Sequence, residues 1–277
     1  MIQSIVRTAL QEDIGDGDHS SLACIPAETT GVAKLLVKDN GILAGVDLAR
    51  IICETYDPEL EFEELLHDGD RVTHGQIAFY IRGKAQSILA VERTLLNFMQ
   101  RMSGIATVTN ELVSMLSGTN TRLLDTRKTT PGIRYMEKWA VRIGGGVNHR
   151  FALYDMIMLK DNHVDFSGGI RPAIERVRNY LNETGKDLKV EIEVRNFSEL
   201  EEVLTHGHVD RIMLDNFTPE DLKEAVQRID GRYETEASGG ITRDTLRTYA
   251  ESGVDYISVG ALTHSFKSLD LSLKATF

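Results

Sequence analysis

Four apolar runs in the second half of the chain decide its fold: VEIEV (190–194), RIMLD (211–215), YETEAS (233–238) and YISVG (256–260). They begin 21–23 residues apart, and segments with helical periodicity separate them. This spacing fits one strand and one helix in each repeating unit. Such alternation predicts an α/β fold with a parallel sheet.

Two earlier runs, RLLDT (122–126) and MIMLK (156–160), extend the same pattern to six strands. Six strands with a repeating unit favour an incomplete, six-stranded β/α barrel over an open doubly wound sheet. Between the strands, Thr218 followed by Pro219 is typical of a helix start. Ser198 with Glu201 three residues later predicts a capping box at the start of another helix.

The first 105 residues have a different texture, in which short β-rich stretches mix with helical ones. GVAKLLVKDNGILAGV (31–46) predicts a strand, a DNG turn and a second strand, and DGDRVTHGQIAFYIRG (68–83) repeats this pattern. SILAVERTLLNFMQRMSG (87–104) has apolar residues at helical spacing and predicts an amphipathic helix. The chain therefore changes from a mixed first part to a regular second part near residue 105.

Composition narrows the class of protein. The chain has 277 residues, a net charge of −11 and no apolar run of membrane-spanning length. A general nucleic-acid binder is not expected, because that role needs a basic face. The two cysteines, Cys24 and Cys53, have no metal-binding spacing and are expected to be free thiols in a reducing compartment. We therefore expect a cytoplasmic, soluble enzyme.

Polar residues follow all six predicted strands. In β/α barrels these carboxyl ends of strands carry the active site. Because six successive polar ends are hard to explain by solvent exposure alone, we interpret them as a site. The residues at these ends are Asp125 to Lys128, Lys160 to Asn162, Glu191 and Glu193, Asp215 and Asn216, Ser238 to Gly240, and Ser258 to Ala261.

Positive charge is concentrated in residues 122–160, which contain eight Lys and Arg residues and three acidic residues. Cationic side chains in a cleft suit phosphates and carboxylates. Arg127, Lys128, Arg150 and Lys160 flank strand ends or a glycine loop, and we expect them to bind a ligand. The other basic residues of the central helix, Arg134, Lys138 and Arg142, fit the solvent-facing side of that helix instead.

Glycine-rich turns follow the last two strands, in ASGGIT (237–242) and SVGALT (258–263). Barrel enzymes often bind phosphate in these two loops through backbone N–H groups. Glu193 and Asp215 are candidates for holding Mg²⁺, although pairing with nearby basic residues explains them equally well. For His149 and His163 the pattern leaves a site role and a structural role open.

The motifs together resemble one family, quinolinate phosphoribosyltransferase, which is also called nicotinate-nucleotide diphosphorylase (carboxylating). The resemblance covers essentially the whole chain in order, and the RKTTPG and NHR…LKDNH blocks are highly specific. The matching stretches are EDIGDGDHSS (12–21), ERTLLNFMQRMSGIAT (92–107), DTRKTTPG (125–132), KWAVRIGGGVNHRFALYDMIMLKDNH (138–163), EIEV (191–194), MLDNF (213–217), EASGGIT (236–242) and SVGALTHS (258–265).

This resemblance implies a reaction and a fold. The reaction is transfer of phosphoribosyl from phosphoribosyl diphosphate to quinolinate, which gives nicotinate mononucleotide, diphosphate and CO₂ in de novo NAD biosynthesis. The fold is an N-terminal α/β sandwich domain (1–105, joined by the tail 266–277) and an open six-stranded α/β barrel (106–265). The family also implies Mg²⁺ as the cofactor and a homodimer or larger assembly with shared active sites.

The resemblance also implies roles for individual residues. Arg93 is expected to reach the site of the neighbouring subunit, and Glu193 and Asp215 are expected to serve the ribose hydroxyls and Mg²⁺. Lys128, Lys160, Glu193 and Asp215 form the expected catalytic set. The quinolinate and phosphate pocket is expected to contain Arg127, Lys128, Thr129, His149, Arg150 and Lys160. The 5′-phosphate is expected to contact Ser238, Gly239, Gly240, Ser258, Gly260 and Ala261.

Three other interpretations stay open on the sequence alone. The chain could be a relative of the same fold, such as the molybdenum-transport-associated one, that acts on a different acceptor; the RKTTPG and NHR blocks argue against this. It could be a Schiff-base aldolase with Lys160 as the nucleophile. It could also be a binding protein without activity, which the dense set of polar strand ends disfavours.

Overall fold

A computed structural model describes residues 1–276, and its contacts divide the chain into two compact units. The first unit consists of residues 1–110, 129–145 and 261–277, and the second consists of 111–128 and 146–260. The boundary predicted at residue 105 stays a prediction. Among the described residues, no helix is long and apolar enough to span a membrane.

The helices and strands up to residue 145 belong mainly to the first unit. Its antiparallel sheet has the strand order β12-β1-β5-β3, so a strand from the end of the chain pairs with the first one. The elements are α1 Ile2–Ile14, α2 His19–Cys24, β1 Thr30–Val37, β2 Gly41–Ile42, α3 Val46–Tyr56, β3 Glu61–Glu64, β4 Arg71–Val72, β5 Ile77–Lys84, α4 Ala85–Met115, β6 Arg122–Leu124, α5 Arg134–Ile143 and β12 Leu271–Thr276.

The predicted hairpin over 31–46 is wrong. Strand β1 pairs with β5 and β12, whereas β2 pairs with β4 in a separate two-stranded sheet. The reason lies in the backbone after residue 40. The N–H of Ile42 donates to Thr107 Oγ1 at 2.9 Å, and the N–H of Ala44 donates to Ser103 Oγ at 2.9 Å. Helix α4 therefore takes the hydrogen bonds that a hairpin would use.

The second unit contains the predicted six-stranded parallel sheet, in the order β6-β11-β10-β9-β8-β7. β6 and β7 are its two edge strands, and a parallel bridge between Leu124 and Val147 extends the sheet beside β6. The remaining elements are β7 Ile157–Leu159, α6 Asp161–Ser167, α7 Ile170–Thr184, β8 Val190–Val194, α8 Phe197–His206, β9 Arg211–Asp215, α9 Pro219–Ile229, β10 Glu234–Ser238, α10 Leu246–Ala250 and β11 Tyr256–Ser258, and α11 Ala261–His264, which belongs to the first unit.

Local sequence explains the helix boundaries of this unit. The Thr218 side chain caps α9 by accepting the N–H of Asp221, and Pro219 is the first helical residue, as predicted. The predicted cap of α8 at Ser198 is wrong. Asn196 caps that helix instead, because its side chain accepts the N–H of Glu199 at 3.0 Å. The strands themselves are buried, with Ile192 and Ile212 fully inaccessible in the core.

Candidate active site

A cavity of about 310 Å³ opens at the carboxyl ends of the strands of the second unit. Its walls come from five of the six strands or the segments that follow them, namely β6, β7, β9, β10 and β11, and from the loop before β7. The parallel sheet therefore brings together residues that are far apart in sequence. The residues that line it are Thr126, Arg127, Lys128, His149, Arg150, Met158, Lys160, Met213, Glu236, Ser238 and Ser258.

Four lining residues are cations, which we call the cavity cations: Arg127, Lys128, Arg150 and Lys160. Three of them are exposed, and Arg150 is half-buried. Burial and the charge of Arg127 lower the pKa of Arg150, and they outweigh the opposing charges of Glu191 and Asp155. Only one acidic residue, Glu236, is among the lining residues. The cavity therefore favours a ligand with more than one negative charge.

Backbone contacts fix the segments that carry these cations. The N–H of Lys128 donates to Thr126 Oγ1 at 3.0 Å just after β6. The Arg150 guanidinium donates through Nη1 to the carbonyl of Met156 at 3.2 Å. Lys160 is the N-cap residue of α6, and its N–H donates to Nδ1 of His163 at 3.0 Å. Hydrogen bonds thus hold the backbone of Lys128 and Lys160 and the guanidinium of Arg150.

The loop before β7 is attached to β6 through a buried carboxylate. Asp125 is fully inaccessible and accepts the N–H of His149 at 2.8 Å and the side-chain amide of Asn148 at 2.6 Å. Val147 also exchanges backbone hydrogen bonds with this strand, since its N–H donates to the carbonyl of Leu123. These bonds hold the edge of the sheet in place and present His149 and Arg150 to the cavity.

Four buried charged or titratable residues adjoin the cavity, and we call them the buried cluster: His149, Glu191, Arg211 and Glu236. His149 and Glu236 also line the cavity. Nε2 of His149 lies 2.9 Å from Oε2 of Glu191 and 3.4 Å from Oε2 of Glu236. Nη1 of Arg211 donates to Glu236 at 3.2 Å, and it lies 4.0 Å from Oε2 of Glu191. Both carboxylates are fully inaccessible to solvent.

The environment of the cluster shifts the pKa of each carboxyl group in a different direction. Burial, with the charge of Glu236, raises the pKa of Glu191 to about 7. Burial also opposes ionisation of Glu236, but hydrogen bonds from His149 and Ser258 outweigh it and lower the pKa of Glu236. One carboxyl group of this pair therefore binds a proton more readily than the other.

His149 experiences two opposing influences. Burial by itself lowers its pKa, but Glu191 and Glu236 outweigh burial and raise it. On the other side of the ring, the N–H of Arg150 points at Nδ1 at 2.7 Å. This contact opposes protonation, because only a nitrogen without hydrogen accepts an N–H group.

Glu193 and Asp215 lie at the ends of β8 and β9. Glu193 is half-buried and its Oε2 lies 3.4 Å from Nζ of Lys160. Burial raises the pKa of Glu193, Lys160 opposes this, and the nearby charge of Asp215 raises it further. Asp215 accepts the side-chain amide of Asn216 at 2.5 Å. Two neighbouring carboxylates that repel each other form a donor set of the kind that Mg²⁺ prefers.

The loop after β10 depends on a close backbone approach. Gly239 has φ of +95°, and a Cβ atom there would lie 2.2 Å from Oδ1 of Asn216. Asn216 itself adopts φ of +56°, and its N–H donates to the carbonyl of Ser238 at 2.9 Å. Glycine is thus required at 239, and the turn ties the ends of β9 and β10 together.

The structure brings together seven of the residues that the sequence predicts for the site: Arg127, Lys128, His149, Arg150, Lys160, Ser238 and Ser258. Glu193, Asp215, Gly239, Gly240 and Gly260 belong to the same unit but are not among the lining residues. Glu193 is linked to the cavity through Lys160.

Three further predicted site residues, Arg93, Thr129 and Ala261, belong to the first unit. Arg93 is exposed on helix α4. The hydroxyl of Thr129 accepts Nε of Arg134 at 2.9 Å. Their roles stay predictions.

Sequence reasoning missed most of the buried cluster. The sequence analysis named Glu191 only as a polar strand end, and it did not single out Arg211 and Glu236. All three carry charge inside strands whose neighbouring residues are apolar, and this is the signal that could have found the cluster. In the sheet, Glu191 pairs in register with Arg211, and Met213 pairs with Glu236. Charged residues at buried positions of adjacent strands are expected to pair with one another.

Comparison with known proteins gives consistent matches. Residues 18–103 match the family model "Quinolinate phosphoribosyl transferase, N-terminal domain", and residues 105–274 match the model of the corresponding C-terminal domain. "Quinolinate phosphoribosyltransferase [decarboxylating] 1b" of Nicotiana tabacum is 45% identical over 99% of the chain and 82% of its own length. A "probable nicotinate-nucleotide pyrophosphorylase [carboxylating]" of Bacillus subtilis is 42% identical over 96% of the chain and 90% of its own length.

Solved structures agree with this result. The crystal structure of NadC from Streptococcus pyogenes superposes with a TM-score of 0.94 at 41% identity, over 99% of this chain and 96% of that one. The nicotinate-nucleotide pyrophosphorylase from Francisella tularensis superposes with a TM-score of 0.92 at 39% identity, over 99% of this chain and 96% of that one. The similarity extends over both units.

Proposed function

The chain belongs to the quinolinate phosphoribosyltransferase family, and on this premise we propose that its cavity transfers phosphoribosyl from phosphoribosyl diphosphate to quinolinate. The products are nicotinate mononucleotide, diphosphate and CO₂, so the reaction belongs to de novo NAD biosynthesis. The protein is a decarboxylating transferase.

One observation of the site carries this proposal, namely the excess of positive charge in the cavity. Four cations line it, and the single lining carboxylate, Glu236, already pairs with Arg211. Quinolinate has two adjacent carboxylates, and the second substrate has a phosphate and a diphosphate. Arg and Lys side chains bind such groups through charge-assisted hydrogen bonds. The ligand therefore supplies the negative charge that the cavity lacks.

We assign the quinolinate carboxylates to Arg127, Lys128, Arg150 and Lys160, and Thr129 stays a predicted substrate-binding residue. Lys128 and Lys160 also serve catalysis, since an ammonium group stabilises charge on the departing diphosphate. Nζ of Lys160 lies 3.4 Å from Oε2 of Glu193. The family matches, which name a phosphoribosyltransferase, disfavour the Schiff-base alternative.

Glu193 and Asp215 are assigned to the ribose hydroxyls and to Mg²⁺. Their mutual repulsion and their oxygen donors fit a cation of this type. When bound, Mg²⁺ neutralises charge on the diphosphate. The two carboxylates also stabilise the positive charge that develops at C1′ of the ribose as the bond to diphosphate breaks.

The loops after the last two strands are assigned to the 5′-phosphate. Ser238 is the last residue of β10, and Gly239 and Gly240 follow it; the N–H of Asn216 donates to the carbonyl of Ser238. Ser258 is the last residue of β11, and Gly260 and Ala261 come after it. Backbone N–H groups of glycine-rich turns are suited to bind phosphate oxygens.

The chemistry needs no organic cofactor. The pyridine nitrogen of quinolinate forms the new bond to C1′, and the bond from C1′ to the diphosphate oxygen breaks. The ring nitrogen then carries positive charge. The 2-carboxylate leaves as CO₂, its electron pair stays on C2 beside this cationic nitrogen, and a proton then replaces it.

The assembly and the location of the protein are also part of the proposal. We propose a homodimer, or a larger assembly of dimers, in which the exposed Arg93 of one subunit completes the pocket of its partner. The family resemblance supports this role. Cytoplasmic location is supported by the two cysteines, which form no disulfide.

The test is mass detection of nicotinate mononucleotide after incubation with quinolinate, phosphoribosyl diphosphate and Mg²⁺. Product is expected only when all three are present, together with an equal amount of CO₂. Lys128→Ala is expected to abolish product, and Lys186→Ala, an exposed lysine after α7, is the matched control. Equal use of nicotinate as the acceptor would contradict the proposed specificity.

A further inference from the structure

The ring of His149 is turned towards protein atoms at both nitrogens, although it lines the cavity. Nε2 lies 2.9 Å from Glu191, and Nδ1 lies 2.7 Å from the N–H of Arg150. The ring has no third polar atom. The part of His149 that remains for a ligand is therefore carbon, which cannot form a charge-assisted hydrogen bond with a carboxylate.

We propose that His149 is a positioning residue that fixes Arg150 for quinolinate, and that Glu191 and Glu236 act through it without contacting the substrate. This inference rests on the proposed function. It changes the role of His149, which the family resemblance places among the residues that bind the substrate. The pocket residue that binds the carboxylate is Arg150, and His149 holds the backbone from which Arg150 projects.

The tautomer of the ring follows from its two neighbours. The carboxylates of Glu191 and Glu236 lie 2.9 and 3.4 Å from Nε2, and their negative charge favours the tautomer with hydrogen on this nitrogen. The Arg150 N–H needs an acceptor, so Nδ1 carries no hydrogen. A hydrogen on Nδ1 would face the hydrogen of Arg150 across 2.7 Å. The two carboxylates raise the pKa of His149, but the Arg150 N–H at Nδ1 leaves no room for a second hydrogen on the ring, so the geometry selects one neutral form of the imidazole.

A second histidine, His163, does not line the cavity but makes the same kind of contact with a residue that does. Nδ1 of His163 accepts the N–H of Lys160 at 3.0 Å. In both places an imidazole nitrogen holds the backbone of a cavity cation. The two histidines differ in burial. His163 is exposed, whereas His149 is buried and lies beside the carboxyl groups of Glu191 and Glu236.

The same four buried groups do not suit a metal ion. Ligand atoms of His149, Glu191 and Glu236 lie within 4.8 Å of one another, as in a metal site. However, Nη1 of Arg211 donates to Glu236 at 3.2 Å and places a positive charge beside them. Nε2 of His149 also carries the hydrogen in the proposed tautomer, so it offers no lone pair. Glu191, Glu236 and Arg211 therefore support the ring of His149 and do not form a site for a metal cation.

A spectroscopic experiment tests the tautomer directly. The whole protein is labelled with ¹⁵N-histidine, and the signals of His149 are identified as those that His149→Asn removes. Nδ1 is expected to show the chemical shift of a nitrogen without hydrogen, and Nε2 that of a nitrogen with hydrogen. Neither is expected to change when quinolinate saturates the protein. Hydrogen on both nitrogens, or a change at Nδ1 on binding, would overturn the proposal.

A double-mutant cycle tests whether His149 acts through Arg150. Quinolinate affinity is measured by calorimetry for wild type, His149→Leu, Arg150→Ala and the double variant. His149→Leu alone is expected to weaken binding roughly tenfold, but less than about twofold in the Arg150→Ala background. His149→Asn retains an acceptor for the Arg150 N–H and is expected to recover most of the affinity. An equal loss in both backgrounds would show a direct contact and overturn the proposal.

Controls separate this inference from the proposed function. His74→Asn changes an exposed histidine in the first unit and is expected to leave quinolinate affinity unchanged. If wild type binds no quinolinate, the proposed function fails, while the nitrogen shifts of the free protein still decide the role of His149. If His149→Leu does not fold, the His149→Asn variant and the labelled wild type keep the test decisive.

Discussion

The buried cluster and the cavity cations are adjacent sets of charges with opposite arrangements. In the buried cluster, two carboxyl groups face Arg211 and the His149 ring within 4.0 Å, so the protein itself supplies the partners of these buried groups. Among the cavity cations, four positive side chains share one lining carboxylate that is already paired. Balanced charge supports structure, whereas unbalanced charge marks the place where a ligand supplies the partner.

The largest expected effect comes from breaking the balanced set. Glu236→Leu removes the fully buried carboxylate that accepts Nη1 of Arg211 and faces His149, and it leaves the buried guanidinium with the more exposed Glu234 as its remaining hydrogen-bonded carboxylate. We expect the free energy of unfolding to fall by about 3–5 kcal/mol, measured by urea denaturation. Glu183→Leu, at an exposed position of α7, is the control and is expected to change it little. A similar loss for both variants would contradict the contrast between the two sets.

Substitutions of the cavity cations are expected to weaken quinolinate binding and to leave the free energy of unfolding nearly unchanged. Arg150→Ala and Lys128→Ala each remove a charge-assisted hydrogen bond to a carboxylate, which costs about 1.5–3 kcal/mol of quinolinate binding. Calorimetry measures this loss, and urea denaturation is expected to show little change in unfolding. Unchanged quinolinate affinity would remove these residues from the pocket.

The proposed shared site predicts recovery of activity in a mixed dimer. Arg93→Ala and Lys128→Ala are each expected to be nearly inactive alone. If Arg93 serves the partner's pocket, a mixed dimer has one site with both defects and one intact site, so about half of wild-type activity returns. Co-expression with two different tags and purification on both isolates this species. A mixed dimer as inactive as its parents would show that Arg93 acts within its own chain.

The smallest expected effect concerns pH and the buried cluster. The pKa of Glu191 is raised from 4.5 to about 7, so the folded state binds its proton more tightly than the unfolded chain does. The stability gained from this proton is complete below pH 4.5 and is lost as the pH rises through about 7. The unfolding free energy of wild type, measured between pH 5 and 8, is therefore expected to fall relative to Glu191→Gln. Parallel curves for the two proteins would contradict the raised pKa.

Much of the second unit could be predicted from sequence, because its strand and helix signals are local. The runs from VEIEV to YISVG form β8 to β11, and Thr218 with Pro219 starts α9 as predicted. The hairpin over 31–46 failed because its hydrogen-bonding partners, Thr107 and Ser103, lie about 60 residues away. Local turn chemistry does not report such distant acceptors.

The residues of the site also divide into those that local sequence predicts and those that it does not. Arg127, Lys128 and Lys160 follow strand ends, and the location rule for barrels places them in one cavity, as the structure does. Charge inside apolar strands marks Glu191, Arg211 and Glu236 as unusual, but their contacts with one another depend on the register of neighbouring strands, which sequence alone does not fix. The direction of the His149 ring depends on that register too, so its role could not be read from the chain.

The most direct test of the charge imbalance in the cavity is calorimetric binding of quinolinate and nicotinate to the wild-type protein. The two ligands share the pyridine ring and differ by the 2-carboxylate. The cavity cations are expected to bind quinolinate tighter by about 1.5–3 kcal/mol, the contribution of one charge-assisted hydrogen-bonded carboxylate. Equal affinity for the two ligands would contradict the assignment of the cavity to a dicarboxylate.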